Sequence, residues 1–131
     1  VGGGAVSFQS VVLFSLPQQR SYDALFGGFI WSHIPLQELR RFCNTVTELV
    51  RPGGIAVFMD NLHVPRSNLP IVSTDEAGNT YQQRKLANGK EYLVIKNFPS
   101  SSFIRAVIGD RVDDFNFTGL QYYWIMQCRV K

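Results

Sequence analysis

The residues able to do chemistry gather in two short stretches. FGGFIWSHIP, residues 26–35, sets two glycines, a tryptophan, a serine and a histidine side by side. FMDN, residues 58–61, ends an apolar run on Asp60 and Asn61. An imidazole gains or loses its charge near neutral pH, so His33 is the candidate base or substrate-holding group, with helix-end capping as the structural alternative. Asp60 and Asn61 are candidate substrate contacts, placed to face the same cleft if the two stretches end together. Gly27 and Gly28 interrupt an apolar run, as a ligand site or a tight turn would need. The same glycines would serve close packing equally well. Trp31 either walls a substrate pocket or caps the core. His63 is expected at the surface. No Ser–His–Asp or paired-carboxylate set stands out. Two histidines and no Cys-x-x-Cys leave zinc unsupported, so no metal is expected. Cys43 and Cys128 read as buried thiols.

These stretches need elements to hold them. Residues 6–14, VSFQSVVLF, are β-branched and aromatic and predict a strand. Residues 22–29, YDALFGGF, predict a second, whose continuous apolar run suggests burial on both faces. Pro35 suits the first turn of a helix. Leu36, Leu39, Phe42, Cys43, Val46, Leu49 and Val50 then recur at three- and four-residue steps, the stripe of an amphipathic helix. Pro52, Gly53 and Gly54 are expected to stop it. Residues 55–59, IAVFM, predict a short buried strand, which completes a βαβ unit with a parallel pair. The polar, proline-containing residues 61–80 read as loop. Asn88–Gly89 predicts a tight turn joining strands 81–86 and 91–95. Ser101 or Ser102 would cap a short helix ending near Gly109. Residues 112–118 and 121–130 predict a closing antiparallel pair.

The chain has 131 residues, within the range of one domain. Its 17 aromatic side chains give it too much to bury for a disordered segment. A net charge of +3 is too small an excess to indicate nucleic-acid binding. No run approaches the roughly 18 apolar residues of a membrane span, and the apolar start lacks a basic leader, so a cytoplasmic location is expected. Residues 1–5 are read as a flexible leader, 6–60 as the strand and strand–helix–strand part, 80–97 as the hairpin, and 100–131 as the helix with the terminal strand pair.

SLPQQRSYDALFGGFIWSHIP, ELVRPGGIAVFMDN and GNTYQQRKLANGKEYLVIKNFPS together resemble the class I S-adenosylmethionine-dependent methyltransferases. Tyr22–Asp23 matches the family's opening of its fourth strand, and Val50 to Gly54 its link into the fifth. The resemblance covers nearly all of this chain and only the C-terminal half of the family's domain. It implies an α/β fold: a truncated Rossmann-like sheet of parallel strands with a C-terminal antiparallel pair and an inserted β-hairpin. In the complete fold the strand order is 3-2-1-4-5-7-6. It also implies S-adenosylmethionine as cofactor, with Phe26, Gly27, Gly28 and Phe29 beside its methionine portion. Trp31, His33, Asp60 and Asn61 would then be placed toward the substrate. The family's glycine-rich loop after its first strand has no counterpart here, since VGGGAV has no strand leading in. Val12 stands where the family often has an acidic residue for the adenine.

Two functions follow as expectations. The first is a methyltransferase acting on a small molecule, truncated and inactive as it stands. The alternative is a non-catalytic remnant of that fold, binding no cofactor and serving as an oligomeric ligand- or protein-binding module. Without the family's first strands, residues 22–29 would form an open apolar edge. Homodimer formation through that edge is therefore expected, or its coverage by residues 6–14.

Overall fold

A computed structural model describes residues 22–131. The expected strand 6–14, the leader 1–5 and Val12 lie outside the described residues. Among the described residues the main sheet has four strands in the order β1-β2-β7-β6: β1 (Tyr22–Gly28), β2 (Val50–Asn61), β6 (Val112–Gly119) and β7 (Tyr123–Val130). β1 runs parallel to β2, β7 antiparallel to both β2 and β6. Counting β1 and β2 as the fourth and fifth strands of the complete fold, this is the implied order 4-5-7-6. The helix α1 (Leu39–Leu49) crosses from β1 to β2, and α2 (Ser101–Ile108) packs beside it.

The core lies between this helical layer and one face of the sheet. Leu39, Phe42, Cys43, Val46 and Leu49 of α1 are buried, the helical stripe read from the sequence. From the sheet come Ala56, Phe58, Trp124, Met126, Cys128 and Val130, alternate residues of β2 and β7. Ile104 and Ile108 of α2 close one side. At the centre Trp31, Phe42 and Phe58 meet edge to face, with centroids 5.2–5.7 Å apart, a geometry that adds about 1 kcal/mol per pair beyond area burial.

Several boundaries differ from expectation. The segment after Pro35 first makes a 3-10 turn, Leu36–Glu38, and α1 begins only at Leu39. Val50–Gly54 does not separate helix from strand: β2 starts at Val50 and runs through Pro52 and both glycines. Close approach to β1 makes this possible, because a Cβ on Gly54 would lie 2.6 Å from the Asp23 carbonyl oxygen. Ser100, not Ser101 or Ser102, caps α2, its hydroxyl accepting from the Phe103 N–H at 3.2 Å. Among the described residues β1 pairs with β2 alone, and Tyr22 (57%) and Phe26 (65%) are exposed. The expectation of burial on both faces therefore does not hold for the described part, since an apolar run is equally compatible with an edge.

The expected hairpin is present as β4 (Thr80–Lys85) and β5 (Glu91–Ile95), but a two-residue strand β3 (Ser73–Thr74) joins it from the segment read as loop. This small sheet docks on the main unit through amides. The buried Asn97 side chain accepts from the Thr80 N–H at 2.8 Å and donates to the Ile34 carbonyl and to Asn79. Buried Asn79 in turn accepts from the Leu36 N–H at 2.7 Å and donates to Gln37.

Candidate functional site

The carboxyl ends of β1 and β2 lie side by side, with Gly27 paired to Phe58 and Gly28 to Met59. Ligands of open parallel sheets sit outside such ends. Period two along β2 fixes what happens there. Ala56 and Phe58 point into the core, so Asp60 does too, and it is fully buried. A carboxylate in that position needs partners. Its oxygens accept from the Ser32 N–H at 2.8 Å and the Asn61 N–H at 2.7 Å. The ammonium of Lys96, itself only 4% exposed, lies 3.1 Å from Oδ1. Its other two hydrogen bonds go to the Ser32 hydroxyl at 2.8 Å and the Asn61 side-chain oxygen at 2.9 Å. Removing one member of such a pair costs about 3–5 kcal/mol, since the survivor is left charged and unpaired.

Lys96 follows β5, so this cluster ties the hairpin sheet to the strand ends. Adjacent residues make parallel ties. The Asn97 N–H donates to the Ser32 carbonyl at 2.7 Å. His33 Nδ1 lies 2.8 Å from the Ile95 carbonyl oxygen. A carbonyl only accepts, so Nδ1 carries a proton, and in the neutral ring the lone pair is then on Nε2. His33 is exposed, so this contact holds its ring at the surface. The WSH turn of FGGFIWSHIP is therefore latched onto the IKN segment more than 60 residues later.

The other expected site residues separate. Phe26 and Phe29 are exposed at the β1 end, Phe29 at a left-handed φ of 58° and edge-on to Tyr123. Gly28 is half-buried beside the Phe26 ring. Gly27 is buried against Phe58, where a Cβ would lie 2.6 Å from two ring carbons. Packing thus accounts for Gly27 without a ligand. Trp31 is a core residue, 1% exposed, and does not wall a cleft. Asp60 does not face a cleft either; its oxygens are engaged internally. Asn61 is half-buried, and His63 is exposed with its ring against Phe98. Lys96, Asn97 and Asn79 were not singled out by sequence, and Ser32 only as a polar member of FGGFIWSHIP. The available signal was an aspartate in phase with a core row, which demands a cation without naming it.

Next to the latch, Leu36, Ile71, Thr80, Asn97, Phe98 and Phe103 line a cavity of about 420 Å³. A second opening of about 510 Å³ lies by His63, Arg66 and Asn68. Among the described residues no three His, Cys, Asp or Glu converge as a metal site, and no helix is long and apolar enough to cross a membrane.

Comparison with solved structures decides the fold. DhpI in complex with SAH superposes with a TM-score of 0.70 at 22% identity, over 95% of this chain and 54% of DhpI. The DhpI–SAM–HEP complex gives 0.73 at 21%, over 93% and 56%. A SAM-dependent methyltransferase from Methanosarcina mazei gives 0.66 at 14%, over 98% and 69%. The fold is that of the Rossmann-like methyltransferases. This chain spans about half the length of DhpI. No family model matches it, and no curated protein matches it.

The strand end fits one flank of an S-adenosylmethionine molecule. Phe26, Phe29 and Ile30 expose apolar surface there, with the Phe26 ring lying beside the half-buried Gly28. These groups suit the aliphatic methionine chain and offer no charge to its amino or carboxylate groups.

Proposed function

We propose that this chain is the acceptor-side part of an S-adenosylmethionine-dependent methyltransferase acting on a small molecule with a proton-bearing nucleophile. The observation that carries the reading is the exposed His33 ring in the turn that follows β1, held by the 2.8 Å contact of Nδ1 with the Ile95 carbonyl oxygen. The fold and the S-adenosylmethionine complexes of DhpI support it. When bound, S-adenosylmethionine supplies an electrophilic methyl group. His33 would accept the proton that the acceptor's heteroatom gives up on methylation, with the methyl's bond to the sulfonium sulfur breaking to leave a neutral thioether. Positioning supplies much of the acceleration in such a transfer. Phe26, Gly28 and Phe29 line the methionine side, and Asn61 faces the acceptor.

Calorimetry with S-adenosylmethionine tests the reading. A dissociation constant tighter than about 100 µM supports it. Millimolar affinity or none favours the non-catalytic alternative. His33→Gln would then lower methyl transfer about 10²-fold or more while leaving cofactor affinity unchanged. Among the described residues β1 pairs with β2 alone, and that edge supports a further part of the reading, a homodimer paired through Tyr22–Gly28, with coverage by residues 6–14 as the alternative. A sedimentation mass of one chain at about 100 µM would exclude the dimer.

A further inference from the structure

We infer that the loop after β2 builds a site for a small organic oxyanion, an apolar body carrying one carboxylate or phosphoryl group. The inference goes beyond the methyltransferase reading and does not rest on it. The cavity of about 510 Å³ is lined by His63, Pro65, Arg66, Asn68, Pro70 and Ile71. That volume is in the range of small-molecule sites. None of the six lining side chains is acidic, and three carry nitrogen donors. Arg66 is a permanent cation with five N–H donors. An imidazole keeps at least one N–H in either protonation state, so His63 can donate too. Asn68 Oδ1 accepts from the Val64 N–H, which leaves the NH2 group as the end free to bind. None of these three donor groups has a hydrogen-bond or ion-pair partner among the described residues. Donors of this kind favour an oxyanion, and a guanidinium can hold one through two parallel bonds. Pro65, Pro70 and Ile71 supply the apolar wall for its body. The loop is also built in advance. The Leu62 N–H donates to the Tyr122 carbonyl at 2.8 Å, and the Ser67 and Asn68 N–H groups both donate to the Val64 carbonyl. The Gln82 side chain donates to the Leu69 carbonyl at 3.0 Å. Arg66 sits in this turn at a left-handed φ of 72°. Only glycine takes that conformation without steric cost, so strain held at an exposed arginine points to a use for its side chain.

Benzoate and phenyl phosphate probe the two head groups, and benzamide is the uncharged counterpart of benzoate. Nitrogen-15 NMR of the Arg66 Nε–H and the His63 ring should show saturable shifts with at least one of the two anions, at a dissociation constant of about 5 mM or tighter. The tighter anion tells a carboxylate site from a phosphoryl site. Benzamide should bind about tenfold more weakly than benzoate, or more weakly still. Arg66→Gln should weaken the tighter anion about tenfold. Arg40→Gln removes the same charge from an exposed position on α1 and should change the affinity less than about twofold. Arg66→Gly removes the side chain and relieves the left-handed φ, so it should lower the affinity equally with no fall in melting temperature. That variant separates loss of the donor from loss of the fold. No saturation by either anion up to about 50 mM overturns the inference. So does benzamide binding as tightly as benzoate, an affinity unchanged in both Arg66 variants, or equal weakening by Arg40→Gln and Arg66→Gln. None of these readouts involves S-adenosylmethionine, so a failure of the methyltransferase reading shows in calorimetry alone.

Discussion

Replacing Gly27 by alanine tests what the double glycine is for. A Cβ there would sit 2.6 Å from Phe58 Cδ1 and Cε1. Carbon pairs prefer about 3.5–4.0 Å, so the ring must retreat by roughly 1 Å. It has little room, since Trp31 lies 5.5 Å and Phe42 5.7 Å from it, centroid to centroid. Overpacking of this kind costs about 1–3 kcal/mol. Restricting the unfolded chain returns about 0.4–1 kcal/mol. The net loss is therefore about 1–2 kcal/mol, or roughly 4–10 °C in melting temperature for a chain of this size. Gly28→Ala is the control. Its Cβ would meet only the Phe26 ring at 3.2 Å, and Phe26 is 65% exposed and free to swing aside. That variant should stay within about 0.5 kcal/mol of the parent. Urea unfolding followed by tryptophan fluorescence measures both, and Trp31 reports on the perturbed ring directly. Phe58→Leu should relieve part of the Gly27→Ala penalty, with a coupling of at least about 0.5 kcal/mol. Equal stability of the two alanine variants, or additivity with Phe58→Leu, would refute the packing argument.

Two further outcomes follow from the fold. Asn97→Ala strips partners from the Thr80 N–H, the Ile34 carbonyl and Asn79 together, and should destabilise by about 2–4 kcal/mol. Limited proteolysis should then cut first within residues 69–92, while wild-type protein stays intact under the same conditions. Burial pushes the Cys43 thiol up to about 12, with Arg111 opposing and Cys128 reinforcing, and burial pushes Cys128 up to about 11. Both folded values exceed the ordinary value of 9.0, so this contribution is fully present below pH 9 and is lost as pH rises toward 11–12. The urea midpoint should fall over that window, and Cys43→Ala with Cys128→Ala should flatten the fall. Native thiols should resist a disulfide reagent at pH 8 and react on unfolding.

Elements whose physics is local could be read from the residues alone. The 3–4 spacing from Leu36 to Leu49 could bury only one helical face, and Asn88–Gly89 could make only a turn. Short alternating runs gave the closing strands β6 and β7, and the order 4-5-7-6 followed from resemblance. Local rules also misled where the neighbours decide. Pro52, Gly53 and Gly54 look like a stop, yet they lie in β2 because Gly54 has to pass close to the Asp23 carbonyl. Ser73–Thr74 has too little pattern to announce a strand until Thr80 and Tyr81 lie opposite it. His33 was recognisable as a group that could act, and its tautomer was not, because that depends on a carbonyl 62 residues away. Asp60 could be seen at the end of a strand. Only the tertiary structure assigned it to Lys96, since the partner of a buried charge is chosen by proximity in space and leaves no spacing in the chain. The same physics divided the two glycines: Gly27 faces the Phe58 ring in the core, and Gly28 faces the movable ring of Phe26.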